Sequence, residues 1–434
     1  MGALTGSGAP PGPGGWLTRA FRGGRIISPL WLFLVTNVLF LVIFPWLVLG
    51  VERDPGYEGV LLLYGVVQAA FLSLGQRVPP GEEDGPPGRI EADDSFFRAC
   101  WIFWGVAAAY KLAMLLVGGI AKYQHEESEA LFRLPYVMNV LDSLAFRAAP
   151  FVAWVACRGR TGLALAAAVA VDLAFGVTTL TKEYTLYVIV AAAFGLSYWG
   201  KSPSWKAVLL GAVASLLVFL LGPAMVWTRQ ETIQFAEPLE IVTGIAENVD
   251  RTLLDEIQRD VSFLAAKERF DLYSAGQLAY RQKEFREMAV RTRDALPFFW
   301  LPRSAEKEIT FRSGNYLGAS VGLVGEGDVS GIAFPNTVVA DAMFGRLAGL
   351  LFFGSVSWLF GLAFRKVMAT RGVEWWIGYV LLYLGILLQV YIGLPLPAIP
   401  YKIFYDSVSW GACVLLLRGC RELSRSVPSR KAAT

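Results

Sequence analysis

Long apolar runs recur along the chain and are separated by short charged segments. Residues 26–51, 59–76, 184–200, 207–228, 347–364 and 375–401 contain no Asp, Glu, Lys or Arg. Four further runs carry isolated charges: 97–119 with Lys111, 134–157 with Asp142 and Arg147, 161–181 with Asp172, and 401–417 with Lys402 and Asp406. A helix needs roughly 20 apolar residues to cross a bilayer core. Strands of a membrane barrel would instead alternate over about ten residues, and these runs do not. The pattern therefore predicts an all-α integral membrane protein of about ten transmembrane helices.

Composition agrees with that pattern and removes other classes. The chain has 434 residues, 55% hydrophobic and 17% charged, with a mean hydropathy of +0.48. Soluble domains average about 25% charged residues. Four cysteines are too sparse for a disulfide scaffold, and the one histidine, His125, excludes a His-rich zinc site. A net charge of +3 supplies no global field for nucleic acid. With the N-terminus placed inside, the inner segments hold Arg19, Arg22, Arg25, Arg77, Arg89, Arg158, Arg160, Lys201, Lys206, Arg365, Lys366, Arg371 and the basic tail from Arg418 to Lys431. The short outer loops hold only Arg53, Lys122, Arg133, Lys182 and Lys402. This asymmetry is the positive-inside bias, and it puts both termini in the cytoplasm. The expected organisation is a disordered basic N-terminus over 1–25, helices one to seven over 26–228, a large external loop over 229–335, helices eight to ten over 336–417, and a basic tail over 418–434. The Pro/Gly-rich start, MGALTGSGAPPGPGG, precedes a hydrophobic run too long for a signal peptide. The acidic stretch over 77–95 reads as a flexible cytoplasmic linker.

The external loop is the exception to the compact pattern. From Glu240, Val242, Ile245, Val249, Leu253, Ile257, Val261 and Leu264 recur at three and four residues, which predicts an amphipathic helix. A second is expected over Asp271–Ala295, ending before Pro297. Its cations are mostly arginine: Arg229, Arg251, Arg259, Arg269, Arg281, Arg286, Arg291, Arg293, Arg303 and Arg312, against Lys267, Lys283 and Lys307. Arginine offers a rigid fork suited to phosphate oxygens. Arg303, with Lys307 and Arg312, lies in FFWLPRSAEKEITFRSGNYLG beside Trp300, a suitable anion clamp at a membrane interface. A solvated helix face accounts equally for several of the others.

Charges inside membrane spans are costly and face a partner or a cavity. Asp142 and Arg147, like Asp341 and Arg346, are five residues apart, so on an α-helix they would not share a face and would pair with other helices. Lys111 and Asp172 stand singly. Such groups either lock the bundle or line a polar cavity. Asp341 lies near the outer end of span eight, beside the large loop, and leans toward function. Lys182 and Glu183, in TTLTKEYT, are candidates for the same outer cavity. Glu52 and Asp54 in VERDPGY form an acidic pair of a kind common in unrelated loops. No P-loop, GxSxG or CxxC pattern is present.

The C-terminal half has a recognisable order. An arginine in AAKERFDL is followed by PFFWLPRSAEKEI, then SGNYLGAS, then FPNTVVADAMFGRLAGLLFFGSVSWLFG. This order resembles the bacterial oligosaccharide repeat-unit polymerases, the Wzy-type O-antigen and exopolysaccharide polymerases. The resemblance covers roughly residues 134–366 and is closest over 259–366. It implies a GT-C-like membrane glycosyltransferase whose donor is a growing glycan on undecaprenyl pyrophosphate. The acceptor would be a lipid-linked repeat unit at the outer face of the plasma membrane. The implied catalytic residues are Arg303, Arg269 and Asp341. Lys307, Arg312, Asn315, Arg259, Arg229 and Lys182 would bind pyrophosphate or glycan. Asp271, Glu306, Glu308 and Asp341 all remain open as the general base. No cofactor and no metal are expected, the cations stabilising the leaving group instead. A flippase and a chain-length regulator are the expected partners besides membrane lipid. An O-antigen ligase, another polyprenyl-linked-sugar transferase, or a lipid or glycan transporter are the alternatives. The ligase would want a histidine in the large loop, whereas His125 sits in KYQHEESEA between spans three and four.

Overall fold

The computed structural model describes residues 28–38, 41–42, 51–77, 93–116, 140–158, 160, 162–179, 182–199, 228, 243–248, 272–298, 309, 313–323, 334–369, 377, 396 and 399–426. Among these residues the structure is all-helical and contains no strand. The helices are α1 (Pro29–Val38), α2 (Pro55–Gln76), α3 (Asp94–Leu116), α4 (Ala149–Ala156, entered through a π-turn at Ser143–Ala148), α5 (Leu163–Thr178) and α6 (Lys182–Tyr198). They continue with α7 (Leu272–Arg281), α8 (Lys283–Ala295), α9 (Ser313–Ser320), α10 (Asn336–Phe344), α11 (Arg346–Ala369) and α12 (Ile399–Ser426). Three of them, Pro55–Gln76, Asp94–Leu116 and Arg346–Lys366, are long and apolar enough to cross a membrane. At about 1.5 Å per residue, each exceeds the thickness of a bilayer core. Leu62, Val66, Leu347, Leu351 and Leu359 on α2 and α11 are exposed, which fits helices whose outer faces meet hydrocarbon.

The described helices pack as two sets. In the first, α2 lies along α11, with α1, α7, α8, α9 and α10 gathered around them. Tyr64 meets Gly349 at one end of the pair, and Gly75 meets Gly361 at the other, so α2 and α11 run parallel. The approach is backbone to backbone. A Cβ on Gly75 would lie 2.4 Å from the Trp358 carbonyl oxygen, and one on Gly361 would lie 2.7 Å from that of Leu72. Small residues permit such contact where the surroundings are as apolar as the side chains themselves. At the far end the Arg365 Nη1 donates to the Arg77 carbonyl at 3.0 Å.

In the second set, α3 packs against α4 and α12, and α5 and α6 close the other side. Its charges find partners on neighbouring helices. Lys111 Nζ on α3 donates to Asp172 Oδ1 on α5 at 2.5 Å, and Trp104 Nε1 donates to Asp172 Oδ2 at 3.2 Å. Lys111 is 1% exposed. Tyr110 donates to Asp142 at 2.9 Å, and Arg147 donates to Asp406 on α12 at 3.1 Å. Asp142 reaches α3 from the residue before the π-turn, and Arg147 reaches α12 from within it. In the turn the Ala149 N–H bonds the Leu144 carbonyl, five residues back. The two that looked single in sequence, Lys111 and Asp172, are each other's partner. At the start of α3, Arg158 is held in the left-handed region at φ 51°, where it ends α4. Its guanidinium lies 3.9 Å from the Phe97 ring centroid and also donates to Asp94.

Two expected elements differ in detail. The helix expected over Asp271–Ala295 is two helices, because Gln282 is extended (φ −95°, ψ 132°). Span eight is also interrupted, at Gly345, whose φ of 76° only glycine adopts without strain. Of the first loop helix, 243–248 is helical; the rest lies outside the described residues, as do 207–227 and His125.

Replacing Gly361 by Val forces α2 and α11 apart and lowers the melting temperature in detergent, by a cost of at least about 1–3 kcal/mol. Gly59→Ala, with open space around its Cβ position, is neutral or mildly stabilising in the same assay. Lys111→Met leaves Asp172 buried without its cation and costs about 3–5 kcal/mol, whereas the Lys111→Met/Asp172→Leu double variant recovers most of that loss.

Candidate functional site

The site is built where α2 and α11 both begin. Asp54 precedes Pro55, and the pair starts α2 in a standard way. The Asp54 Oδ1 accepts from the Gly56 and Tyr57 N–H groups at 3.0 and 3.2 Å, and proline at the first helical position gives up no needed donor. The other carboxylate oxygen is left for a distant partner. Arg281, the last residue of α7, donates to it through Nε at 2.9 Å and Nη2 at 2.7 Å. The Arg281 guanidinium, with the Tyr57 N–H, holds the Asp54 carboxyl below its usual range.

Helix α7 is thereby laid across the start of α2. The Tyr273 hydroxyl accepts from the Asp54 N–H at 3.0 Å and donates to Glu58 at 3.1 Å. Glu58 is also gripped by Arg53 through two bonds of 2.8 and 2.7 Å. The Tyr57 and Tyr273 rings meet edge to face at 5.1 Å, and Tyr280 lies 5.8 Å from Tyr57. Gly276 makes this approach possible, since a Cβ there would lie 2.0 Å from the Tyr57 hydroxyl. Helix α8 follows and packs on α9 and α10 through Phe285, Ala289, Thr292 and Ala295. The Phe285 ring meets that of Phe334, just before α10, at 5.0 Å and a tilt of 59°.

Beneath this cover lies the α10–α11 junction. Gly345 turns the chain so that Asp341, on the last turn of α10, faces Arg346, the first residue of α11. Asp341 Oδ1 accepts from Arg346 Nε at 2.6 Å and from the Tyr64 hydroxyl at 3.3 Å. Its Oδ2 accepts from Arg346 Nη2 at 3.4 Å, and that nitrogen also reaches the Tyr280 hydroxyl at 3.5 Å. The carboxylate side chain is 7% exposed and the guanidinium side chain 45%. Nearby, Arg293 of α8 donates to the Met343 carbonyl at 3.0 Å, a favourable place for a cation at the C-terminal end of a helix. Two arginines thus flank the last turn of α10. The buried carboxylate is committed to one of them, and the partly open guanidinium is available to an anion.

The expectation that Asp341 and Arg346 would pair with other helices is corrected by this geometry. The glycine break lets them pair with each other, and Tyr64 supplies the interhelical bond. Asn315 lies on α9, half-buried against the α8 side of the same assembly. Lys182 opens α6 in the second set of helices. Arg229, Arg259, Arg269, Arg303, Lys307 and Arg312 lie outside the described residues, as do Asp271, Glu306 and Glu308. Asp54, half of the weak acidic pair in VERDPGY, serves as a helix cap and the anchor of α7. Arg346, Arg293, Arg281, Tyr64 and Tyr280 were not singled out as site residues from sequence. A glycine directly before an arginine and four residues after an aspartate is a legible hint for Arg346. The tyrosines come from positions more than two hundred residues apart and give no local signal.

No family model matches the chain, and neither a curated protein nor a solved structure does.

The Asp54–Arg281 contact predicts an acid dependence. Because the folded state depresses the Asp54 pKa, the contribution of the contact is complete above the ordinary aspartate range. It is lost as pH falls through the depressed value. The difference in melting temperature between wild type and Asp54→Asn is therefore positive at neutral pH and shrinks toward zero below about pH 4. Asparagine keeps the cap, so the difference reports the pairing with Arg281.

Proposed function

We propose that this chain is a multi-spanning glycosyltransferase that polymerises oligosaccharide repeat units. The growing glycan is transferred from undecaprenyl pyrophosphate to a lipid-linked repeat unit at the outer face of the bacterial plasma membrane. The proposal includes about ten spans, both termini inside, a GT-C-like arrangement, and the α7–α8 assembly on the outer side. A flippase would deliver the lipid-linked units, and a chain-length regulator would act on the product.

One observation carries the reading. The segment that resembles the repeat-unit polymerases places a buried carboxylate, Asp341, against a partly open guanidinium, Arg346, under helices from the arginine-rich loop. Glycosyl transfer from a pyrophosphate needs a proton acceptor for the incoming hydroxyl and a positive field for the departing anion. These are the two groups at the junction. The charge asymmetry supports the sidedness. Helices α2 and α11 both run from the α7 end toward Arg77 and Arg365, the end the positive-inside bias assigns to the cytoplasm. In the second set, the buried charges are already paired between helices, so they serve as fasteners, and chemistry is left to the loop end.

Arg346→Ala and, on the resemblance, Arg303→Ala test the reading. Each variant keeps lipid-linked single units and loses the long-chain ladder on a glycan gel. Loss of one such cationic donor corresponds to about 10²–10³ in rate. A normal ladder in both variants removes the proposed activity.

A further inference from the structure

We propose that the Asp341–Arg346 pair is a latch that a phosphoryl anion opens: the anion takes the Arg346 guanidinium, and the freed Asp341 carboxylate becomes the general base. This rests on the polymerase reading and adds to it how the base is kept idle until donor is present.

The geometry supports an exchange at this pair. The anion in place, Asp341, is buried, while the cation is open on one side. The two bonds between them are unequal, 2.6 Å from Nε and 3.4 Å from Nη2, so one carboxylate oxygen is only loosely held. Arg346 Nη1 has no partner among the described residues. Gly345 and Arg346 are both exposed, so the guanidinium has open surroundings on one side to turn into. Tyr64 does not depend on the cation for its place. Its hydroxyl bonds Asp341 from α2 and would keep the carboxylate oriented after the guanidinium leaves. A phosphoryl group carries more charge and more acceptor oxygens than a carboxylate and competes well for an arginine fork.

The acceptor hydroxyl oxygen bonds the anomeric carbon of the donor, and its proton passes to Asp341. The bond between that carbon and the pyrophosphate oxygen breaks, and its electron pair leaves on the lipid pyrophosphate, held by Arg346. Asp341 returns the proton to water and pairs again when the pyrophosphate departs. While Arg346 Nε and Nη2 occupy the two Asp341 oxygens, neither is free to take the acceptor proton, so transfer waits on donor binding.

The test uses the full chain in detergent, with calorimetric titration of inorganic pyrophosphate and of a short-chain polyprenyl pyrophosphate. Arg346→Gln loses the binding of both. Asp341→Asn removes the competing carboxylate and binds about fivefold more tightly than wild type, the scale expected for a half-exposed ion pair, yet forms no glycan ladder in cells. Asp341→Ser gives the same tightening if the asparagine variant does not fold. Tighter binding of the polyprenyl form identifies the lipid headgroup as the natural anion, and equal binding identifies free anion. Asp341 variants that bind as weakly as Arg346→Gln, or no better than wild type, overturn the latch, because the carboxylate would then only orient the guanidinium. If deletion of the chain leaves cellular glycans unchanged, the polymerase reading fails. The opposite effects of the two substitutions on pyrophosphate binding would still decide the latch.

Discussion

The backbone-to-backbone approach of α2 and α11 sets the geometry of the loop end of this molecule. Gly75 and Gly361 bring the two helices together at one end. At the other, Gly349 leaves room for Tyr64, where a Cβ would lie 2.3 Å from its hydroxyl. That clearance lets a side chain from α2 reach Asp341 and the Arg346 carbonyl across the interface. Separation of the helices by one methyl group would withdraw Tyr64 from the junction and unseat α10, which packs on both. Where lipid offers no hydrophobic drive for association, close packing of this kind is the main attraction between helices.

Charge obeys a complementary rule in the second set. A lone ion in an apolar bundle is expensive, so each one described is joined to another helix. Lys111 joins α3 to α5, Arg147 joins the π-turn to α12, and Arg158 and Asp94 join the ends of α4 and α3. These pairs fix neighbours and register. The Asp341–Arg346 pair differs in kind. It lies between residues five apart, on the two consecutive helices that Gly345 joins, so it fastens no element distant in the chain, and one member stays partly open. The proposed chemical role of the pair rests on that difference.

The arginine-rich segment acts through α7 and α8. Asp54 and Glu58 hold α7 from the α2 side, and Phe334 and Met343 hold α8 from the α10 side. The cover is therefore tied to both helices that frame the junction. The arginine enrichment of the loop has a double use: Arg281 and Arg293 are structural ties, while Arg286 and Arg291 remain exposed on α8.

Sequence alone determined the helical class, the positions of the long apolar helices, and an amphipathic, arginine-rich segment at one end. Those features follow from local quantities: run length against bilayer thickness, apolar period, and charge along the chain. Sequence also singled out Asp341, since an acid near the end of an apolar span is costly wherever it points. It expected partners on other helices, which Tyr64 supplies, and missed Arg346, because five-residue spacing excludes a shared face only if the helix is continuous, and Gly345 breaks it. It left Lys111 and Asp172 unpaired for the complementary reason, since a contact between helices sixty-one residues apart has no local signature. The tertiary structure alone decided that Tyr64, Tyr280, Asp341 and Arg346 meet. That meeting depends on the depth to which glycine lets two backbones approach, a distance set by both helices at once and written in neither.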